Sequence, residues 1–312
     1  MSAAARALLA RCGRAAWSAG ENRIGLVLVV GAAVVSQAAP GPARFLVDHR
    51  GLDVCLAVLV FSTAIAIAPA AFGGLATHAG RLVAALMSTA LLLPALAWAV
   101  SRLVPTMALR RGVLTVGLAP AEIASVATTS LAGGDAAIAA GMLVGSTLLT
   151  IAGAGLALRL LGGGAVPVLP LLSNLVVVVG APMAAGIAVR TRISLSDRQE
   201  AAAERVSFAA VIVLVWLVAS QVRLSSSYLA VAGALLLFLA GSAILGAALS
   251  YRAPSPVATA LLLTTSMRDF AIAAGIAAAA FGPASAAPLG LYGVLVICWG
   301  TAIASRRSSR SP

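Results

Sequence analysis

Three ionisable side chains stand where an apolar chain tolerates them least. Glu122 lies in Gly117-Leu118-Ala119-Pro120-Ala121-Glu122-Ile123-Ala124-Ser125, and Arg268 and Asp269 lie in Leu263-Thr264-Thr265-Ser266-Met267-Arg268-Asp269-Phe270. Both stretches sit inside long hydrophobic runs. A charge at the centre of a bilayer helix costs roughly 2.5–3.5 kcal/mol on insertion scales, so each needs a partner or a function. The chemistry such residues support is recognition of charge. Pro120 lacks a backbone donor and disfavours helix at Ala119. A helix broken there and restarting near Ala121 presents free N–H groups and a positive dipole end to the interior. Thr264, Thr265 and Ser266 are placed to cap a second restart by accepting from exposed N–H groups. Irregular backbone at this depth is tolerated only inside protein or beside water.

Helical spacing sets Glu122, Ser125 and Thr129 on one face. Arg268 and Asp269 are neighbours, so on a helix they point about 100° apart. The expected pairing therefore runs between helices, Glu122 with Arg268, leaving Asp269 to cap backbone or pair elsewhere. The alternative is a buried ion pair that only fixes packing. Ser146, Thr147 and Thr150 are expected to return hydrogen bonds to their own helix. Asn174 and Gln221 are candidates for lining a cavity.

Other chemistries lack their residues. Cys12, Cys55 and Cys298 show no metal spacing and read as packing thiols. His49 and His78 have no companion ligand. No cofactor or metal is expected. No GxxxxGK[ST] loop is present, which argues against ATP-driven transport within this chain. Neither HExxH nor a Ser/His arrangement points to an enzyme.

The elements that must position these residues follow from composition. Of 312 residues, 61% are hydrophobic and 10% charged, and mean hydropathy is +1.06. Soluble domains are about 25% charged. A disordered chain, a coiled coil and an ordinary soluble enzyme are excluded. The net charge of +12 is carried entirely by arginine. It does not point to nucleic acid, because the chain has little polar surface on which to build a basic face. The expected partner is a lipid bilayer, whose apolar core takes about 20 helical residues to cross.

The expected fold class is an all-α polytopic membrane protein. Ten spans are expected, at 24–39, 52–72, 82–103, 113–133, 136–161, 168–189, 206–222, 227–250, 256–281 and 285–304. The domain reading is a basic segment 1–23, a first five-helix repeat 24–161 and a connecting loop 162–167. A second five-helix repeat follows at 168–304, then a basic tail 305–312. The polar segment 190–205 is expected to be a cytoplasmic loop. A signal peptide is the weaker reading of the N-terminus, because further hydrophobic spans follow at once. Arginine is denser on the side holding both termini, which places both in the cytoplasm. An odd number of spans per half forces the second half to insert upside down. That is the topology of inverted-repeat secondary transporters, with broken helices four and nine crossing at the site.

Several short motifs carry a family resemblance over about residues 24–304. They are Pro94 with Ala95-Leu96-Ala97-Trp98, Pro120-Ala121 with Ala124-Ser125 and Leu131-Ala132, and Met267 with Ala273-Ala274, the run 277–280 and Phe281. In their order and spacing the chain resembles the bile acid:sodium symporter family and its bacterial homologues. The resemblance implies a panel of spans 1, 2, 6 and 7 and a core of spans 3–5 and 8–10. It further implies a small organic solute, commonly an anion, bound between them, and a place in a bacterial inner membrane. The sequence leaves the solute and the oligomeric state open.

The departures are specific. The family's sodium sites use a glutamate and a glutamine on the second crossover helix, and the matching positions here are Thr264 and Arg268. The asparagine after the serine of the first crossover is Val126. The third-helix glutamine is matched by Thr89, and polar fifth-helix positions by Ala139 and Leu143. Ser125 is kept. Sodium needs several hard oxygen donors, and a valine side chain supplies none. The expectation is that Arg268 stands in a sodium ion's place with a fixed charge, since arginine stays protonated. Glu122 either balances it or titrates, so sodium and proton coupling both stay open. A non-transporting membrane protein, either partner-binding or a degenerate homologue, is the second reading.

Overall fold

The computed structural model describes residues 28, 31–32, 34–66, 75–162, 166–222 and 226–308. The segment 1–23, part of the first expected span, the end of the second, the glycine turn at 163–164 and the last four residues lie outside them.

The described chain is helical. Helix α1 (Pro40–Asp48) turns by 82° into α2 (Gly51–Ala66). A 3-10 turn leads into α3 (Ala79–Ser101), followed by α4 (Met107–Val116), α5 (Ala124–Leu131) and α6 (Ala136–Leu161). Helix α7 (Val168–Leu175) runs through a π turn into α8 (Ala181–Arg192). Then come α9 (Asp197–Ala219), α10 (Ser227–Leu249), α11 (Ser255–Ser266), α12 (Phe270–Phe281) and α13 (Ala287–Ser308). Among the described residues, six helical stretches are long and apolar enough to cross a membrane. The bent α1–α2 pair makes a seventh if it counts as one span. Leu91, Leu148, Leu160, Leu229 and Ile244 are exposed on their outer faces. An aqueous surface would carry such a display only as a binding patch, whereas lipid solvates it.

Packing sorts the helices into two groups. Helix α2 lies against α8 and α9, while α3–α6 pack with α10–α13. Small residues bring the helices of the second group close. An added Cβ at Gly112 of α4 would lie 2.1 Å from the Ser285 carbonyl oxygen and 2.6 Å from Pro288 Cγ.

Some expected boundaries move. The polar segment 190–205 is not a loop: α8 continues to Arg192 and α9 begins at Asp197, leaving 193–196 between them. Polar composition marks where a helix leaves the apolar layer, not where it ends. An Arg190–Glu200 ion pair and Gln199 Oε1, which accepts from the Ser196 N–H at 2.9 Å, hold the two ends together. Residues 40–48 form a helix where none was expected, with Pro40 at the first-turn position that tolerates a missing N–H. The fourth expected span starts earlier, at Met107, and is interrupted.

Asp135 starts α6. Its Oδ1 accepts from the N–H groups of Ala137 (2.8 Å) and Ile138 (3.1 Å). Asp135→Ala is expected to cost about 0.5–2 kcal/mol, the usual loss of an N-cap. Denaturant unfolding of the purified protein measures it, and Asp135→Asn should recover most of it.

Candidate functional site

Helix α4 ends at Val116 and α5 begins at Ala124, so residues 117–123 lie between the two helices. The second interruption is shorter. Helix α11 ends at Ser266, Met267 and Asp269 are extended, and α12 begins at Phe270. Each break leaves backbone groups that lipid cannot satisfy. They satisfy each other. The Glu122 N–H donates to the Met267 carbonyl at 2.8 Å, and the Asp269 N–H donates to the Pro120 carbonyl at 2.9 Å. Ala121 and Arg268 thus form an antiparallel bridge.

Neighbouring elements hold this crossing. Ser146 Oγ on α6 accepts from the Ala121 N–H at 2.9 Å, and Thr150 Oγ1 donates to the Leu118 carbonyl at 2.8 Å. On α13, Tyr292 Oη accepts from the Arg268 N–H at 3.4 Å, and Trp299 Nε1 donates to Ser266 Oγ at 2.9 Å. Sequence reasoning missed these four anchors. Thr150 was expected to bond its own helix and instead reaches across to the break. Ser146 does both, donating to Leu143 at 3.2 Å. Thr147 alone bonds only its own helix, to Leu143 at 2.7 Å.

The extended pairing decides where the charges point. Side chains alternate along extended backbone, and bridged residues share a face. Arg268 therefore projects with Ala121, while Glu122 and Asp269 project together on the opposite face. The expected Glu122–Arg268 pair does not form. That expectation assumed helical geometry at residues that are extended. Among the described residues the ion pair is Arg190–Glu200. Arg268 instead donates to backbone. Its Nε lies 3.0 Å from the Ala119 carbonyl, Nη2 bonds the same oxygen, and Nη1 reaches the Thr264 carbonyl at 3.5 Å. The guanidinium is only 3% exposed.

Asp269 is the N-cap of α12. Its Oδ1 accepts from Ala271 (2.9 Å) and Ile272 (2.8 Å). Thr264 and Ser266 do not cap a restart. They sit in the last turn of α11 and donate back to Ala260 and Leu262, each at 2.7 Å. The N–H groups of Phe270, Ala124 and Ile123 are turned toward the Glu122 carboxylate, and the Ile123 N–H also faces Asp269. Glu122 Oε2, Asp269 Oδ2, Ser125 Oγ, Thr129 Oγ1 and Thr265 Oγ1 are buried without hydrogen-bond partners. Glu122 stands just outside α5, so it does not share a helical face with Ser125 and Thr129.

A crevice of about 250 Å³ lies between α3 and α6, lined by Thr89, Pro94, Ser146, Thr150 and Arg268 among others. Arg268 is the charged residue in its wall. Thr89 and Arg268 thus meet, although Thr89 Oγ1 donates to Leu86 at 3.0 Å. Asn174 does not join them. It lines a separate pocket on α7 with Arg50, Asp53 and Pro283. Gln221 donates to the Ser220 hydroxyl at 3.0 Å. Among the described residues, no group of three His, Cys, Asp or Glu side chains is placed to hold a metal ion.

A family model described as the Sodium Bile acid symporter family matches residues 53–232, more than half of the chain. The match includes the first break and stops before the second. No curated protein matches the chain.

Proposed function

Because the chain belongs to the sodium bile acid symporter family, we propose that it is a secondary transporter moving a small organic anion by alternating access. A multi-pass membrane protein of a transporter family needs a bilayer and a solute. The ten spans form two inverted five-helix repeats, 24–161 and 168–304. Helices α2, α7, α8 and α9 with the first span make the panel, and the group containing both breaks makes the core. Both termini face the cytoplasm of a bacterial cell across its inner membrane. Helix α2 packs mainly on α8 and α9 and only lightly on the helices around the crossing, which supports this division.

The observation that carries the anion is Arg268. It is the charged residue in the wall of the α3–α6 crevice, and its guanidinium is permanently protonated. The two restarted helices contribute less than their dipoles promise, because Asp269 caps α12 and the Glu122 carboxylate faces the first N–H groups of α5. Sodium has little to bind here. Arg268, Val126, Ala139 and Leu143 supply no side-chain oxygen, and the Thr264 hydroxyl is engaged with Ala260. Of the positions that match the family's sodium ligands, Ser125 keeps a hydroxyl without a hydrogen-bond partner, and the set as a whole offers few oxygens to a hard cation.

Uptake of radiolabelled organic anions into proteoliposomes tests this. Uptake should be the same with sodium inside and out as with choline. Arg268→Gln should lower it at least tenfold in protein that still elutes as a folded species. Uptake that requires a sodium gradient, or that survives Arg268→Gln unchanged, would overturn the fixed-cation reading.

A further inference from the structure

The crossing carries one cation and two carboxylates, and the carboxylates do not use the cation. Arg268 faces away with Ala121 and spends its donors on the Ala119 and Thr264 carbonyls. Glu122 and Asp269 share the other face of the two-stranded link, diagonal neighbours across it. Both look at the same Ile123 N–H. Glu122 is 6% exposed and Asp269 is fully buried. Each keeps one oxygen, Oε2 and Oδ2, without a donor. The other titratable or charged groups within electrostatic reach of the pair are Arg268, on the opposite face, and Tyr292. The Tyr292 hydroxyl is already engaged, accepting from the Arg268 N–H and facing the Ser266 carbonyl at 3.5 Å.

Two carboxylates on one face of the link and this dry do not both stay ionised, because each opposes the charge on the other and water cannot screen them. We propose that Glu122 and Asp269 hold a single proton as a pair, and that this pair is the ion site that drives transport. The proton comes from water on one side of the membrane. One O–H bond forms on one carboxyl, and the other carboxylate stays ionised. The crossing then carries one cation and one anion. Release of the proton to the opposite side restores the excess negative charge. Only the coupling role rests on the transporter reading; the bound proton rests on the geometry of the crossing.

Infrared spectroscopy of the full chain in lipid nanodiscs tests the site without a solute. The wild type should show the C=O band of a protonated carboxyl at neutral pH, shifting in D2O. Glu122→Gln and Asp269→Asn should each shift or shrink it, because the carboxyl that remains is still buried, and the double variant should abolish it. If one variant fails to fold, the others decide. Added sodium should leave the band unchanged. Absence of the band from the wild type, its persistence unchanged in every variant, or its removal by sodium overturns the proposal. A protein that shows the band but moves no anion keeps the proton site and loses the transporter reading. Uptake without the band does the reverse.

Discussion

Arg268→Ala is expected to destabilise the protein by about 2–6 kcal/mol, chiefly the cost of two buried carbonyls left without donors. Two losses contribute. The Ala119 and Thr264 carbonyls lose the donors that reach them from the guanidinium. A buried acceptor without a donor costs about 1–3 kcal/mol. The two carboxylates on the far face then lose the nearest positive charge. Arg268→Gln keeps an amide donor near the same carbonyls and should cost less. Tryptophan-monitored unfolding in detergent measures both. A cost below about 1 kcal/mol for the alanine variant would mean that water or lipid satisfies these carbonyls, and the guanidinium would then have no structural role.

Gly112→Val should have an effect of similar size from a different cause. The new Cβ would lie 2.1 Å from the Ser285 oxygen and 2.6 Å from Pro288 Cγ. Overpacking typically costs about 1–3 kcal/mol when side chains can shift. Here the nearest obstacle is a backbone oxygen, so relief requires α4 and the start of α13 to part. We expect a loss at or above the top of that range, together with reduced yield of folded protein. Gly80→Ala is the control. Nothing lies within 4 Å of its added Cβ, and a helical glycine replaced by alanine gains roughly 1 kcal/mol. If the two substitutions behave alike, close contact between α4 and α13 is not what holds that edge.

Much of the crossing was legible because its residues are expensive. Charge in apolar runs announced Glu122, Arg268 and Asp269, and Pro120 announced the first break. Family membership followed from short motifs read in order. What the sequence hid was the geometry between the breaks. A residue's neighbours along a helix can be counted, but the two extended pieces exist only because each finds the other about 150 positions away in the chain. Read as helix, Arg268 pairs with Glu122; read as paired extended backbone, it turns from it. Ser146 and Thr150 were hidden for a related reason. A hydroxyl on a helix always has a local carbonyl available, and nothing in the sequence says that a broken neighbour offers a better one. The segment 190–205 misled through composition, since helices that outrun the bilayer become polar without ceasing to be helices.

The link at 120–122 and 267–269 also constrains how the molecule can move. Neither interrupted helix can straighten alone, because each break is closed by the other's amides and carbonyls. Ser146 and Thr150 fasten the first break to α6, and Tyr292 and Trp299 fasten the second to α13. A conformational cycle that left this lattice of bonds intact would have to carry four helices as one stiff block. The give would then lie at the seam where that block meets α2 and α9, so the mechanically cheapest motion open to the protein is rocking at that seam, with no refolding in the middle.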